Sequence, residues 1–430
     1  MVEAWRAPVV SGPLHGAVQV PGSKSITNRA LVLAALADAP TRILGALLAR
    51  DTRLMVAGLR ELGADVRAGT APTELLVEPG PVLGGGTIDC GLAGTVMRFL
   101  PPVAALAAAP VGFDGDAHAR LRPLGPLAGA LRALGAQVSG DALPITVRGP
   151  VTGRAATLDA SASSQFVSGL LLVAPALPAG LDLRHRGPAL PSLPHVDMTV
   201  AMLRERGARV SAETDDPTDC RWQVAPGPLV GGTVDIEPDL SNAGPFLAAA
   251  MATGGTVTIP GWPTDTTQAG DRLRGIFAQM GAVSIERTPA GLTLSGPADP
   301  ASLRGLTADL GECGELVPTV AAVAALASSP SELTGIAHLR GHETDRIAAL
   351  AAELRRLGAG VVELPDGLRI IPGPLTGATV ECYADHRMAT FGAIVGLRVP
   401  GVSLSDVGAT SKTLPDFPLL WQSLVATANA

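Results

Sequence analysis

Large rings and lysines are what this chain has least of. Aromatic residues make up only 3% of 430 residues, against 47% hydrophobic residues overall. That excludes a core built on rings, so the interior must be Ala, Val and Leu packed at close range, and many small-residue helices against sheets fit this better than an aromatic-rich sandwich. A basic excess is also lacking. The net charge of −7 argues against a nucleic-acid binder, which normally carries a basic stripe. The four cysteines (Cys90, Cys220, Cys313, Cys382) form no CxxC pair and no ligand-like spacing, so neither a disulfide framework nor a zinc site is signalled. Every apolar stretch is broken by Pro, Gly or a charge before it reaches the length of a membrane span. MVEAWRAP shows no basic region followed by an apolar one. The expectation is a reduced, soluble, cytoplasmic protein with no nucleic-acid and no membrane partner.

Of the 32 basic residues only Lys24 and Lys412 are lysines. Where arginine has taken nearly every basic position, the two that remain lysine point to places that need a compact ammonium and not a planar guanidinium. Length gives the next bound. A chain of 430 residues exceeds one ordinary core, so two domains are expected.

Internal repeats sharpen that expectation. Six of the chain's nine Gly-Pro pairs, at Gly12, Gly80, Gly149, Gly227, Gly296 and Gly373, are separated by 68, 69, 78, 69 and 77 residues. A second marker, Leu-Arg followed by Gly-Ala, occurs at Gly63, Gly135, Gly207, Gly281 and Gly358. Each lies at the end of an amphipathic pattern, where glycine is the favoured helix stop. The unit reads as strand, buried apolar helix, second helix ending at Gly-Ala, then strands back to Gly-Pro, six times over. Three units per domain divide the chain evenly. The half-unit at residues 1–20 needs a partner sheet in the C-terminal half. The expected boundaries are residues 1–21 with 238–430 for one discontinuous domain, and 22–237 for the other.

Each buried helix is preceded by a polar cluster. The first is Ser23-Lys24-Ser25, after a period-2 run over Val18–Val20 and the Pro21-Gly22 break. Lys24, two hydroxyls and Arg29 at the start of a helix make an anion site, because the free N–H groups and the helix dipole already favour negative charge. The other clusters are Gly91–Thr95, Ser161–Gln165, Asp239–Asn242, Gly311–Glu315 and Ala384–Arg387. Several helix N-termini with Lys24, Arg29, Arg98, Arg387 and Lys412 nearby suit a small polyanion, held in a cleft between the domains. GSKS lacks the upstream glycine of a P-loop. Leu83-Gly84-Gly85-Gly86 precedes a strand, so it is no dinucleotide fingerprint. His342-Glu343 lacks the second histidine of a zincin helix. RGHETDR, Arg340 to Arg346, packs two arginines, two carboxylates and a histidine into seven residues of a chain that is 17% charged. As bland readings, Glu343 and Asp345 serve as first-turn acids and Thr344 as a cap; the density favours function. Glu315, at the mouth of an apolar helix, is either a dipole partner or a general base.

At these residues the chain resembles a known family. PGSKSITNRAL, GLAGTVMRF, Arg122-Pro123, SASSQF, LRGHETDR, ADHRMA and SKTLPDF stand in family order and together resemble 5-enolpyruvylshikimate-3-phosphate synthase, with SASSQFVSGLL and HLRGHETDR similar to its actinobacterial branch. The resemblance implies an α/β fold of two domains, each of three βαβαββ units, with the chain crossing twice and the active site in the cleft. It implies that Lys24, Gly94, Arg122, Gln165, Arg346, Arg387 and Lys412 hold phosphoenolpyruvate. Shikimate 3-phosphate would fall to Ser25, Arg29, Ser163, Ser164, Gln165, Ser192, Glu315, His338 and His342. Glu315, Glu343 and Lys24 would be catalytic: Glu315 as base, where many members carry Asp, and Glu343 as the carboxylate that protonates the vinyl carbon. His342, His338 and His195 stand where many members have Lys, Asn and Tyr; LAGT replaces NAGT, and Phe99 a common Pro. The implied reaction adds the 5-hydroxyl of shikimate 3-phosphate across phosphoenolpyruvate and eliminates phosphate. It calls for no metal and no organic cofactor, runs in a monomer, and serves aromatic amino-acid biosynthesis. Glyphosate would compete at the phosphoenolpyruvate subsite. Two rivals stand beside this reading: enolpyruvyl transfer to UDP-N-acetylglucosamine, whose enzymes carry a Cys where this chain has Ala117, and a non-catalytic paralogue that only binds such ligands.

Overall fold

The structure, a computed structural model, describes residues 4–429. They fall into two compact units, one joining the N-terminal residues up to Pro21 with Glu237 onward, the other Gly22–Ile236. No helix of the described residues is long and apolar enough to cross a membrane.

In Gly22–Ile236 three four-stranded sheets share one pattern. Thr87–Asp89 runs parallel to Val111–Asp114, which pairs antiparallel with Ile145–Arg148, and Gln137–Ser139 closes the edge. Ala155–Leu158, Leu181–Arg186, Asp219–Val224 and Val210–Glu213 repeat it. A parallel pair needs a crossover, and a buried helix supplies it each time. In the sheet of Thr41–Leu44, Leu75–Glu78 and Asp65–Ala68 the parallel partner is Gly232–Asp235, the last strand of the unit.

The other unit shows the same rule with its missing piece brought from the N-terminus. His15–Ala17 pairs parallel with Thr256–Pro260, beside Gly291–Ser295 and Ser284–Thr288. Trp5–Arg6 pairs antiparallel with Ser403–Leu404, which lies parallel to Thr379–Val380. Thr307–Asp309, Ser331–Thr334, Gly367–Ile371 and Gly360–Leu364 form the complete middle sheet. The N-terminal half-unit thus finds its partners in the C-terminal half. The strand ahead of the Pro21-Gly22 break, however, is His15–Ala17 and not Val18–Val20; Val18 adds one further bond to Thr258 O, and Val18 and Val20 are buried.

Each unit is centred on three buried helices that pack on one another: Lys24–Ala35, Gly94–Ala104 and Gln165–Val173 in one, Leu240–Thr253, Val317–Ala325 and His386–Gly396 in the other. Ala, Gly, Val and Leu dominate them, and four carry one buried ring each, Phe99, Phe166, Phe246 and Phe391; small side chains let the rest of each helix surface pack closely. The outer helices are Arg50–Glu61, Gly125–Ala133, Leu193–Glu205, Leu273–Met280, Arg346–Arg356 and Phe417–Ala426. Five of them are followed by the glycine of the Gly-Ala marker at φ between 84° and 110°, the left-handed stop that only glycine adopts cheaply.

Candidate active site

In Gly22–Ile236 the polar clusters at the helix starts hold buried cations. Ser23 caps Lys24–Ala35 by accepting from Ile26 N, and no acid occupies the helix's first turn. Lys24 Nζ lies 3.4 Å from Asp51 Oδ2, on the first turn of Arg50–Glu61. One turn on, Arg29 is buried and donates to Thr199 Oγ1 at 2.7 Å, the Ser25 carbonyl at 3.0 Å, Ser168 Oγ at 3.2 Å and the His195 carbonyl at 2.9 Å. These acceptors are all neutral. Burial presses its pKa down to about 9, yet it remains a cation at neutral pH. Its guanidinium also lies over the Phe99 ring, 5.1 Å from the centroid, so Phe99 helps to hold this cation in place.

A second group gathers at the start of Gly94–Ala104, whose N-cap, Ala93, has no side-chain bond to offer. A Cβ on Gly94 would come within 3.0 Å of Arg98 Nη1, 3.1 Å of Gln165 Oε1 and 3.2 Å of Arg122 Nη2. Gly94, Arg98, Arg122 and Gln165 therefore converge on one point beside free helix N–H groups. Arg122 is buried, donates to the Leu92 carbonyl at 3.3 Å, and leaves its Nε without a hydrogen-bond partner. A buried, partly unsatisfied guanidinium at a helix N-terminus is a site for an anion. Ser163 Oγ accepts from Gln165 N at 3.3 Å, and Ser164 is the buried N-cap residue of Gln165–Val173. Ser192 stands at the N-cap of Leu193–Glu205 with φ 52° and no side-chain capping bond. Asn28, which the sequence did not single out, donates to Thr95 Oγ1 at 2.6 Å and fixes the first turn that carries Gly94.

In the other unit the predicted residues form one network. Glu343 accepts from Lys412 Nζ at 2.7 Å on one oxygen and from Arg346 Nη2 at 2.8 Å on the other. Arg346 also donates to Asp385 at 2.7 and 3.2 Å and meets His342 Nδ1 at 3.0 Å. Burial opposes its charge, but Asp385, Glu343 and Glu315 outweigh that and hold its pKa above the ordinary guanidinium value. Arg387 follows Asp385 and donates to Ser241 Oγ at 3.0 Å. Burial and the Arg346 charge lower its pKa, against the pull of Glu315. Two arginines that repel each other in a buried place gain from a bound anion. Glu315 sits on the turn Gly314–Leu316 that leads into Val317–Ala325. His338 Nε2 would lie 2.6 Å from a Cβ on Gly314, and its ring contacts that of His342 edge-on, with centroids 5.6 Å apart. Both histidines thus border the carboxylate turn.

The dense RGHETDR segment divides by function. Arg340 pairs with Asp345 at 3.0 Å and Glu363 at 2.8 Å, a structural clamp. Asp345, and not Thr344, caps Arg346–Arg356, and Glu343 lies outside the helix as a partner of two cations instead of a first-turn acid. Asp51, Asp385 and Ser241 are site neighbours with no substrate role assigned from the sequence, where DHRMA reads as an N-cap with a first-turn pair or as a poised basic site; Asp385 is that N-cap. The signal for two of them was present: Asp385 and Ser241 belong to the polar clusters ahead of buried helices. Asp51 had none. Among the described residues no group of three or more His, Cys, Asp or Glu could hold a metal ion.

A family model for EPSP synthase (3-phosphoshikimate 1-carboxyvinyltransferase) matches residues 9–421. A 3-phosphoshikimate 1-carboxyvinyltransferase from Kocuria rhizophila is 53% identical over 440 residues, covering 99% of this chain and 97% of its own. The 2.37 Å structure of EPSP synthase from Acinetobacter baumannii matches with a TM-score of 0.78 at 25% identity, over 98% of this chain and 97% of that one. A second structure of EPSP synthase from the same organism gives 0.77 at 24%, over 98% of each chain.

Proposed function

The chain belongs to the EPSP synthase family, and from that premise we propose that it transfers the enolpyruvyl group of phosphoenolpyruvate to the 5-hydroxyl of shikimate 3-phosphate, releasing phosphate. The observation that carries the proposal is the pairing of two anion-ready clusters with two carboxylates. Arg122, Gln165, Gly94 and Lys24 on one unit, and Arg346, Arg387 and Lys412 on the other, take phosphoenolpyruvate. Ser25, Arg29, Ser163, Ser164, Gln165 and Ser192 take shikimate 3-phosphate, together with Glu315, His338 and His342.

Glu315 removes the proton of the 5-hydroxyl, whose oxygen attacks C2 of phosphoenolpyruvate, while Glu343 delivers a proton to C3. Cations on the carboxylate and phosphate stabilise the tetrahedral intermediate, and loss of a C3 proton with departure of phosphate restores the double bond. The arrangement explains how Glu343 is primed. Lys412 and Arg346 occupy both of its oxygens; an arriving substrate phosphate competes for the same two cations and so frees the carboxylate to carry a proton. One chain carries every group this needs, so we take it to work as a monomer.

The test is phosphate release from phosphoenolpyruvate. Release with shikimate 3-phosphate and none with UDP-N-acetylglucosamine supports the reading. The reverse pattern transfers the chain to the rival acceptor, and release with neither makes it a binding protein.

A further inference from the structure

The only tyrosine of the chain takes no part in the chemistry above, and its backbone is strained. Tyr383 and Ala384 lie at φ 53° and 52°, the left-handed region in which a Cβ crowds the backbone and a bulky side chain is a rare outlier. Two such residues in succession persist only where the surroundings enforce them. They stand immediately before Asp385, the N-cap of His386–Gly396 and the buried carboxylate that holds Arg346.

The enforcing contact is visible. Tyr383 Oη donates to Glu353 Oε1 at 2.8 Å, and Glu353 is wholly buried. The other Glu353 oxygen accepts from Glu381 N at 3.1 Å and faces Arg356 Nε at 3.0 Å. Burial and the neighbouring Glu353 push the phenol up to about 12, so it stays a donor throughout the working range. Glu353 and Arg346 lie seven residues apart on the helix Arg346–Arg356, hence on one face, two turns apart. That helix therefore grips the turn at residues 381–385 twice: Arg346 on Asp385, and Glu353 on Tyr383.

We propose that Tyr383 is a positioning residue for the reaction: its bond to Glu353 holds the left-handed Tyr383-Ala384 turn, which sets Asp385 against Arg346 and so fixes the guanidinium that meets phosphoenolpyruvate. Without the phenol oxygen the turn relaxes towards an unstrained backbone, Asp385 withdraws, and Arg346 loses its orientation. The shikimate 3-phosphate groups of the other unit are untouched. The consequence for substrate rests on the proposed function; the brace itself does not.

Three variants test it: Tyr383→Phe, Ala384→Gly and the pair. For Tyr383→Phe the expected result is an increase of about tenfold in KM for phosphoenolpyruvate, the scale of a lost hydrogen bond to a charged acceptor, with a clearly smaller rise in KM for shikimate 3-phosphate, carried through His342, which meets Arg346. Ala384→Gly removes the Ala384 share of the cost of the left-handed turn, so alone it leaves kinetics near wild type, and in the pair it restores part of the lost affinity. An unchanged KM for phosphoenolpyruvate in Tyr383→Phe overturns the proposal. So does an equal rise in both KM values, which marks general loosening, and so does a pair no better than Tyr383→Phe. Thermal unfolding of the same variants reads the brace without substrate: the destabilisation by Tyr383→Phe should be smaller in the Ala384→Gly background, and strict additivity of the two changes counts against it. If the wild type turns over no substrate, the functional reading fails, while the unfolding cycle still decides the brace.

Discussion

Replacing Lys412 by arginine keeps the net charge and should still cripple the enzyme. The Lys412 side chain is 8% exposed, with Nζ 2.7 Å from Glu343 Oε1. A guanidinium is longer and planar, and its fork imposes direction. In this buried place it can keep Glu343 or reach the substrate, but not from the single spot that an ammonium occupies. Losing a charged hydrogen bond to a bound anion costs about 2–5 kcal/mol, which at about 1.4 kcal/mol per decade is about 30-fold to about 4000-fold in kcat/KM. Lys24 offers an internal comparison. Its side chain is 20% exposed and its Asp51 contact is longer, 3.4 Å, so Lys24→Arg has more room to adjust and should lose only about tenfold. Arg304→Lys, at an exposed position outside both clusters, is the control. The assay is initial-rate kcat/KM for phosphoenolpyruvate at saturating shikimate 3-phosphate, with Tm measured for each variant so that misfolding is not mistaken for lost chemistry. If folded Lys412→Arg stays within about threefold of the control, or if Lys24→Arg proves the worse of the two, the reasoning from burial and shape is wrong.

Glu315→Gln should lower turnover by roughly 100-fold or more while both KM values hold; near-wild-type turnover would move the base elsewhere, with Glu343 first in line. Glyphosate should compete with phosphoenolpyruvate in the wild type, and Gly94→Ala should weaken it, because the new Cβ comes within 3.0–3.2 Å of Arg98, Gln165 and Arg122; equal inhibition of both proteins would show that the ligand avoids this point. Glu74 gives a pH prediction. Bonds from Arg42, Ala71 N and Thr70 lower its pKa from 4.5 to about 2, so its contribution to stability is complete above pH ~4.5 and is lost as the pH falls towards about 2. The Tm difference between wild type and Glu74→Gln should therefore narrow over that window, and a constant gap from pH 6 to pH 2 would contradict the assignment.

The architecture was legible because its markers are backbone devices. Glycine after Leu-Arg reports a left-handed helix stop, and the six apolar small-residue runs report helices buried on all sides; both follow from local sterics. The strand ahead of Pro21-Gly22 was misplaced by three residues, since Val18 and Val20 look like strand yet owe their burial to packing. The Gly-Ala marker could not announce Phe417–Ala426, which the chain does not leave by a further strand. In the site, residue types were readable but their pairings were not. Arg346 meets Asp385 39 residues away, Lys412 meets Glu343 across 69, and Arg387 meets Ser241 across 146. Such contacts depend on how successive repeats stack, which no local pattern encodes. Arg340 and Arg346 sit in one motif and part company only in three dimensions. Tyr383 was silent for the same reason: its meaning lies in a positive φ and in a buried glutamate 30 residues earlier.

The central claim, addition and elimination with shikimate 3-phosphate as acceptor, is met most directly by running the reaction in D2O and following it by proton and phosphorus NMR. Protonation of C3 makes a transient methyl group, so the account predicts an enolpyruvyl ether of shikimate 3-phosphate, one equivalent of phosphate, and deuterium in the vinyl CH2 of the product. A vinyl group free of deuterium would contradict the proton transfers assigned to Glu343, and phosphate appearing only with UDP-N-acetylglucosamine would contradict the acceptor itself.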